Sequence, residues 1–388
     1  MTETDTPIAS IVTTHITPAS GFGGVAEAGG RIARAWAAAG HAFRVCASDA
    51  SHGQRLSPGD LALPPNIPII LYHAKWWPRF GFGFGAIGAV FGACRGARAV
   101  YINGIGTWPT TLAALTCALL GRPMLVALRA GLMAPHLAVI RARKPHKWLF
   151  YRLLTLPALR RARCLHLTSA LEAEGLETLL PGVPLVIVPN GLDLAEWPFL
   201  PPRTASDGLV LCYVGRLSAE KGILRFLLLW LRLRRHHDRL VIVGGGSGPY
   251  AEAVRAEATM AGQAVTLAGT LDRAGVQAVL ARSDLLVLPS GLEHGDLREN
   301  FGNAAAEALA SGRPILATRG LAWDDCAPGG YGLLFDADDA AIAAAIEQAQ
   351  TLPRDQLAAM GVRGRAWAEQ TVDIRVTAEQ LWRQLSLG

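Results

Sequence analysis

Short runs of apolar residues recur along the chain and alternate with segments of helical periodicity. In the first half these runs predict strands at 8–13, 43–47, 67–72, 99–102, 124–128, 164–168 and 185–189, with helices such as Glu27–Ala39 and Trp108–Leu120 between them. In the second half they predict strands at 209–215, 240–245, 265–269, 285–289 and 314–318. Continuous apolar strands separated by helices are typical of parallel sheets covered on both faces. Two such series in 388 residues therefore predict two doubly wound, Rossmann-like α/β domains.

A segment rich in proline and polar residues separates the two series. We predict a first domain over 1–190, a linker over 191–207, a second domain over 208–367 and a final helix within 368–388. Ligands of open parallel sheets bind at the carboxyl ends of the strands, where the strand order reverses. We therefore expect the functional residues in the loops that follow the strands, facing a cleft between the domains.

The cysteines and the first residues of the chain bear on its location. The six cysteines are scattered through apolar segments without a CxxC pair, so we expect reduced core residues, no structural metal and a cytoplasmic protein. The opening residues MTETDTPIAS are polar and acidic, unlike a signal peptide. The uncharged run from Ala99 to Gly121 is interrupted by polar residues and proline, so we expect a core helix there and not a membrane span.

Charge is distributed unevenly along the chain. Between Asp60 and Glu172 there are fourteen Lys and Arg residues but no Asp or Glu, which gives +14 over 111 residues. The whole chain carries only +6. This asymmetry favours an anionic partner for the first half. A general preference for arginine is the alternative, but it does not account for the missing carboxylates.

Two loops have the composition of phosphate sites. Gly23 and Gly24 precede a helix expected to open near Val25, where backbone N–H groups and the helix dipole attract an anion; the alternative is a plain tight turn. Arg216 and Lys221, in VGRLSAEKGI, follow the first strand of the second domain. Together they could clamp a diphosphate, and the alternative is a solvated loop with ordinary surface charges.

A third loop, VGGGSGPY at 243–250, is rich in glycine. Gly246, Gly248 and Ala251 match G-x-G-x-x-A, which by itself favours a dinucleotide-binding enzyme. The acidic residue expected about 20 positions further on is unconvincing, and the loop lies in mid-chain. We therefore interpret it as a close-packed glycine turn beside a nucleotide base.

The stretch ENFGNAAAEALASGRP, at 299–314, contains two carboxylates eight positions apart. It follows a predicted buried strand, and we expect a helix over 300–310. Eight residues rotate a helix by about 800°, so Glu299 and Glu307 lie on nearly the same face. A carboxylate at a helix start is favoured by the dipole, which is the alternative for Glu299. Glu307 stands among small, apolar residues and needs hydrogen-bond donors, which sugar hydroxyls would supply.

In order along the chain, GGV, GRLSAEKG, the glycine loop and E-x7-E resemble glycosyltransferase family 4. The resemblance covers essentially the whole sequence. It implies a GT-B fold, with the final helix crossing back to the first domain. It also implies a retaining, metal-independent enzyme that needs no cofactor and uses a nucleoside-diphosphate sugar as donor.

The resemblance further implies roles for single residues. Glu299 would contact hydroxyls of the transferred sugar, and Glu307 would bind the ribose. The backbone N–H groups of Phe301, Gly302 and Asn303 would hold the sugar or the diphosphate. The diphosphate charge would be neutralised by the two cations and the first glycine turn, at Arg216, Lys221, Gly23 and Gly24.

Two departures from the family pattern affect the site. Eight residues, GLEHGDLR at 291–298, precede Glu299 where relatives usually have only a few, so the sugar pocket could be reshaped. Many relatives have a histidine at the end of a first-domain strand, whereas this chain has MLVALRAGLMAPH. That loop is similar to the S-P-R-G-M-L loop of enzymes for cell-surface polysaccharides. Its position implies a catalytic role for Arg129, in contact with the donor phosphate or the acceptor, whereas His136 is more typical of a surface histidine.

Two basic segments, 72–85 and 141–163, interleave cations with aromatic and apolar residues, among them Trp148, Phe150 and Tyr151. No nucleic-acid-binding module accompanies them, so we expect no nucleic-acid partner. Cations and tryptophan favour an anionic membrane surface, and the alternative is a solvated helix face.

The sequence thus predicts a retaining hexosyltransferase at the inner face of the plasma membrane. Its donor would be a UDP- or GDP-hexose, and its acceptor a lipid-linked oligosaccharide or cell-surface glycan, as in lipopolysaccharide or exopolysaccharide synthesis. Two alternatives stay open: a nucleotide-sugar epimerase of the same fold, and a non-catalytic, membrane-associated partner of another transferase.

Overall fold

A computed structural model describes residues 9–19, 22–52, 54–204, 208–293 and 300–386. The chain divides into two compact units, one formed by Met1–Gly191 with Ile374–Gly388 and the other by Leu192–Asp373. Each unit contains one parallel sheet with helices packed against it. The predicted α/β class with two doubly wound domains is therefore confirmed.

The first unit has a seven-stranded sheet. Its strands are β1 Ala9–Thr13, β2 Phe43–Ser48, β3 Ile69–Tyr72, β4 Ala99–Asn103, β5 Met124–Ala127, β6 Cys164–Leu167 and β7 Leu185–Ile187. All pairs are parallel, in the order β3-β2-β1-β4-β5-β6-β7. The strand order reverses between β1 and β4, and all seven predicted strands are present. The apolar runs predicted them well because β1, β4 and β5 are completely buried.

The second unit has a six-stranded sheet. Its strands are β8 Val210–Val214, β9 Arg239–Val243, β10 Val265–Gly269, β11 Leu285–Leu288, β12 Ile315–Thr318 and β13 Gly332–Phe335. The order is β10-β9-β8-β11-β12-β13, so it reverses between β8 and β11. The strand β13 was not predicted from the sequence, because its four residues begin with glycine and are only partly buried.

Helices connect the strands in both units. They are α1 Gly24–Ala38, α2 Gly85–Arg95, α3 Trp108–Leu120, α4 Ala134–Arg143, α5 Pro145–Phe150, α6 Leu156–Leu159, α7 Leu176–Leu179, α8 Ile223–Leu233, α9 Pro249–Met260, α10 Arg273–Ala281, α11 Asn303–Ala310, α12 Asp339–Thr351, α13 Arg354–Thr371 and α14 Ile374–Ser386. The α3 helix has the predicted bounds, because Thr107 and Thr110 form a capping box and Gly121, with φ of 63°, ends it. The last helix, α14, belongs to the first unit, where Trp36 Nε1 donates a hydrogen bond to Ala378 O at 2.8 Å.

The first part of the segment expected to be a linker packs into the second unit. Leu192, Leu194 and Trp197 are buried there, and Leu192 N donates to Val372 O at 2.6 Å. The proline and polar residues of this segment predicted an exposed connection, but its apolar residues pack in the core of the second unit.

All six cysteines are unpaired and buried, as expected for core residues. Within the described ranges, no helix combines the length and the apolar character that crossing a membrane requires.

Candidate functional site

Three adjacent strands of the second sheet carry predicted site residues at their carboxyl ends. Arg216 and Lys221 follow β8, Gly246 follows β9, and α11, which contains Asn303 and Glu307, follows β11. The strand β8 lies between β9 and β11, and the sheet order reverses between β8 and β11. The sequence motifs therefore converge on the switch point of this sheet, where open α/β sheets bind ligands.

Two glycines let the loops at this switch point approach one another closely. Gly222 has φ of 65°, and a Cβ there would lie 2.0 Å from the carbonyl oxygen of Pro289, at the end of β11. A Cβ on Gly246 would lie 2.5 Å from the carbonyl oxygen of Leu217. Neither position has room for a side chain. The close-packed glycine turn is thus present, and its contact with a nucleotide base stays a prediction.

The loop after β8 is fixed through its backbone and exposes a cation. Tyr213 OH donates to Arg216 O at 2.7 Å, whereas the Arg216 side chain is 74% exposed and pairs with Glu220 at 3.0 Å. Lys221 is half-buried and ends a short 3-10 turn, where its backbone N–H donates to Ser218 O at 2.9 Å. A phosphate would therefore have to compete with Glu220 for the Arg216 guanidinium.

Helix α11 begins three residues later than predicted, at Asn303, because Gly302 adopts a left-handed conformation with φ of 78°. Phe301 is anchored just before it: Trp323 Nε1 donates to Phe301 O at 2.6 Å, and the two rings lie 5.3 Å apart between centroids. Glu307 is half-buried, and its neighbours Ala305, Ala306, Ala308 and Leu309 are buried, as the sequence indicated. Glu299 lies outside the described residues.

The start of the unusual 291–298 segment holds a helix in place. Glu293 Oε1 accepts hydrogen bonds from the Arg225 backbone N–H at 3.0 Å and from Tyr250 OH at 2.9 Å. A carboxylate at the first turn of α8 also interacts favourably with the helix dipole. Residues 294–298 lie outside the described part of the chain.

The first unit contains a cavity of about 550 Å³ at the carboxyl ends of β1, β4 and β5. Cationic, aromatic and small residues line it, including Arg129 and His136 from the predicted set. His136 is exposed, as expected of a surface histidine, and its Nδ1 donates to Ala130 O at 2.9 Å. Gly23 has φ of 68° immediately before α1, which begins at Gly24, one residue earlier than predicted.

Asn103, at the end of β4, forms hydrogen bonds both to the start of α1, just after the Gly23–Gly24 turn, and to Arg129. Its amide nitrogen donates to Val25 O at 2.8 Å and to Thr13 Oγ1 at 3.2 Å, and its Oδ1 accepts from Arg129 Nε at 2.9 Å. Because Asn103 is fully buried and these donors and this acceptor are all used, its orientation is fixed. Asn103 was not predicted as a site residue, although it directly follows a predicted strand.

The Arg129 side chain is held by neutral hydrogen-bond acceptors. Besides Asn103, it donates to Asn190 Oδ1 at 2.5 Å and to Tyr101 OH at 3.1 Å. Behind it, His166 Nε2 donates to a backbone carbonyl at 2.8 Å, so its Nδ1 accepts from Tyr101 OH at 3.0 Å. Burial, and then the Arg129 charge, lower the pKa of His166 to about 3, which keeps it neutral.

The Arg129 backbone is unusual as well. Arg129 and Ala130 both have positive φ, of 51° and 63°, a conformation that side-chain-bearing residues rarely adopt. The buried Glu172 carboxylate accepts from Ala130 N at 2.8 Å, from Thr168 N at 2.8 Å and from Thr168 Oγ1 at 2.6 Å. Glu172, the first carboxylate after Asp60, thus holds the strained backbone of Arg129 and Ala130 in place.

His15, two residues beyond the end of β1, also lines the cavity and was missed from the sequence. Ser48 Oγ donates its only hydrogen to Thr14 O at 2.6 Å, so the 3.1 Å contact with His15 Nδ1 has the imidazole as donor. The neutral ring then has Nε2 as an acceptor, which is buried without a partner among the described residues. Burial lowers the pKa of His15 to about 4, with a smaller opposite effect from the backbone of Arg79. The available signal was a histidine next to a strand end.

The two basic segments meet in the first unit, where the Phe80 and Phe150 rings lie 5.5 Å apart between centroids. Exposed apolar side chains occur in both segments: Trp76, Trp77, Phe84, Leu149, Leu153 and Leu154. The aromatic residues of 141–163 were expected at a membrane surface. Tyr151 is instead buried in the core of the first unit, and Trp148 and Phe150 pack against that core.

Within the described residues, no group of three or more His, Cys, Asp or Glu side chains is placed to hold a metal ion. Metal-independent chemistry stays a prediction.

The fold defines a two-domain α/β protein in which the strand order of each parallel sheet reverses at a switch point. Residues 23–191 match the family model "Glycosyl transferase 4-like domain", and residues 208–351 match "Glycosyl transferases group 1". The two matches together cover most of the chain. The protein therefore belongs to the group 1 glycosyltransferases, and the resemblance noted from its motifs is confirmed.

Two curated relatives align with part of the chain. The glycogen synthase of Mycobacterium tuberculosis strain H37Rv is 33% identical over 152 residues, which span 38% of this chain and 35% of that protein. The lipopolysaccharide 1,2-N-acetylglucosaminetransferase of Salmonella typhimurium is 31% identical over 159 residues, 37% of this chain and 40% of that protein. The matches thus span no more than two fifths of the length of these relatives.

Solved structures agree over nearly the whole length. Sucrose-phosphate synthase from Thermosynechococcus elongatus has a TM-score of 0.73 at 21% identity and covers 97% of this chain and 98% of its own. HepE from Anabaena, in complex with UDP, has a TM-score of 0.73 at 16% identity, covering 98% and 100%. WaaG, a glycosyltransferase involved in lipopolysaccharide biosynthesis, has a TM-score of 0.67 at 18% identity, covering 98% and 100%. These similarities confirm the GT-B fold.

Proposed function

We propose that this glycosyltransferase moves a hexose from a UDP- or GDP-hexose to a hydroxyl of a glycan or lipid-linked oligosaccharide, with retention of configuration. The observation that carries the proposal is the convergence of Arg216, Lys221, Gly246 and the start of α11 on one sheet switch point. A diphosphate needs cations and backbone N–H groups together, and these loops supply both.

Donor binding is proposed for the second unit. Solved structures of the same fold contain UDP and UDP-glucose in HepE, and UDP-2-fluoro glucose in the trehalose-6-phosphate protein of E. coli. By the family resemblance, Glu307 would bind the ribose and Glu299 the hydroxyls of the hexose. The half-buried Glu307 among small residues has the surroundings that such a role requires.

The chemistry would depend on stabilising the departing diphosphate. The bond between the anomeric carbon and the diphosphate oxygen breaks, while the acceptor oxygen bonds to the same carbon from the same face. The acceptor proton passes to the leaving phosphate oxygen, so no protein nucleophile is required. Arg216 and Lys221 would neutralise the charge that develops on the diphosphate, which is the usual way in which fixed cations accelerate such a step.

The acceptor is proposed to bind in the first-unit cavity, and the two basic segments are proposed to contact an anionic membrane. The name of the Salmonella relative, a lipopolysaccharide transferase, supports an acceptor of that kind. Trp77 is 71% exposed and Phe84 69%, and Lys75 Nζ lies 5.3 Å from the centroid of the Trp76 ring. Exposed aromatic residues beside cations are suited to the headgroup region of a bilayer.

A donor screen tests this function. Purified full-length protein is incubated with UDP- and GDP-hexoses, and its melting temperature is measured. We expect one nucleoside-diphosphate hexose to stabilise it, and Lys221→Ala to weaken that effect while Arg232→Ala, an exposed cation on α8, leaves it unchanged. If no nucleotide sugar stabilises the protein, the proposed function is wrong. Conversion of the donor to an epimer without acceptor would instead establish the epimerase alternative.

A further inference from the structure

The first-unit cavity has an excess of positive charge. Arg79, Arg129, Lys144 and Lys147 line it, and none of the lining residues that the structure describes is Asp or Glu. Within the described part of the chain, none of these four cations forms an ion pair with a carboxylate. A surface with ordinary solvated charges would mix both signs, so this lining indicates a missing anionic partner.

Two of these cations are three residues apart, and the Lys147 backbone N–H donates to Lys144 O at 2.9 Å. Lys147 is half-buried, with Nζ 5.4 Å from the centroid of the Tyr151 ring. Burial, and then the charge of Lys144, lower the pKa of Lys147. Like charges in a partly desolvated site raise the free energy of the empty protein, and a bound anion removes that penalty.

The remaining groups of the cavity complement the lysines. Among the described residues, the Arg129 side chain donates to neutral acceptors only, so its hydrogen bonds fix its position without cancelling its charge. The His15 ring has Nε2 as an acceptor that is buried and lacks a partner among the described residues. The same cavity thus offers cations for an anionic group and an acceptor for a hydroxyl.

We infer that this cavity binds an acceptor that carries a phosphate ester or a diphosphate close to the hydroxyl that receives the sugar. The inference rests on the proposed function, since it identifies the chemical class of the acceptor. Arg129 and the two lysines hold the phosphate oxygens, and His15 Nε2 accepts a hydrogen bond from a neighbouring hydroxyl of the acceptor, not from the one whose proton passes to the leaving phosphate. A volume of about 550 Å³ lies within the usual range of roughly 300–1,000 Å³ for small-molecule sites.

Calorimetric titration of the full chain with inorganic pyrophosphate, in the presence of saturating UDP, tests the inference. UDP is added to occupy the diphosphate site proposed for the second unit. We expect the double variant Lys144→Gln/Lys147→Gln to bind pyrophosphate at least about tenfold more weakly than wild type, because it loses two charge-assisted hydrogen bonds. Arg98→Gln, an exposed cation of the first unit outside the cavity, is the matched control and should bind as wild type does.

Equal affinity in wild type and the double variant, or no binding by wild type, would overturn the inference. Circular dichroism checks that the variants are folded. Lys144→Gln alone, at an exposed position, is the second variant and should also bind more weakly than wild type.

Competition identifies the source of the phosphate. Displacement of pyrophosphate by phosphatidylglycerol vesicles, but not by phosphatidylcholine vesicles, supports a lipid-borne phosphate. Displacement by glucose 6-phosphate, but not by glucose, supports a soluble sugar phosphate. If neither competitor acts, the inference is wrong. Failure to bind UDP or any nucleotide sugar would instead overturn the proposed function, while the difference between wild type and the double variant would still decide the acceptor class.

Discussion

Replacing His166 should remove a defined part of the acid sensitivity of the first unit. The ring is buried and neutral, with a pKa of about 3 in the folded protein against about 6.5 in an unfolded chain. Below pH 6.5 the unfolded state therefore binds a proton that the folded state does not, and stability falls as the pH falls. Between pH 8 and pH 5 this amounts to about 2 kcal/mol in the free energy of unfolding.

The variant His166→Gln has no titrating group at this position, whereas Tyr101→Phe removes only the hydroxyl that donates to His166. Both variants should lose about 1–3 kcal/mol at pH 8, since each leaves buried polar groups without partners. From pH 8 to pH 5, wild type and Tyr101→Phe should lose stability in parallel. His166→Gln should lose about 2 kcal/mol less.

Urea unfolding at several pH values, followed by pulsed hydrogen exchange and mass spectrometry, measures this quantity. Peptides from β5 and β6 report on the first unit separately, which matters because the chain has two units and need not unfold in one step. If His166→Gln has the same pH dependence as wild type, the ring is charged in the folded state. The hydrogen-bond chain from His166 through Tyr101 to Arg129 would then be wrong.

Three further predictions concern other parts of the molecule. His15→Ala should raise the acceptor KM about three- to tenfold and leave the donor KM unchanged, as steady-state kinetics would measure, because the imidazole contacts a hydroxyl of the acceptor only; a changed donor KM with an unchanged acceptor KM would contradict this role. Gly222→Ala should destabilise the second unit by at least about 2 kcal/mol in urea unfolding, since its Cβ would overlap Pro289 O; wild-type stability would show that the loop can move aside. Trp77→Ala with Phe84→Ala should reduce sedimentation with phosphatidylglycerol vesicles without changing the melting temperature, and undiminished sedimentation would refute the membrane surface.

The sequence predicted the strands well because both sheets are parallel and buried, so that their strands are continuous apolar runs. Because the strands could be recognised as apolar runs, the motifs that follow them could be placed at strand ends. The sheet order then brings these strand ends together. It failed where a single backbone angle decides the element: Gly302 delays α11 by three residues, and the four-residue β13 has too weak an apolar signal.

The first-unit site was predicted only in part, because its contacts join residues distant in sequence. Arg129 was identified from its loop, but the groups that orient it, such as Asn103 and His166, lie 26 or more residues away and have no local signature. The acceptor nitrogen assigned to His15 depends on its tautomer, which follows from the Ser48 contacts and has no signal in the sequence. The charge asymmetry of the first half agrees with the cavity lining, whose described residues include four cations and no carboxylate.

Sugar transfer itself is tested most directly by following nucleoside diphosphate release from the stabilising donor, with and without a lipid-linked oligosaccharide fraction. We expect release that depends on the acceptor, a product with the anomeric configuration of the donor by NMR, and a large loss of kcat in Lys221→Ala but not in Arg232→Ala. Donor binding without release in the presence of acceptor, or unchanged kcat in Lys221→Ala, would contradict it.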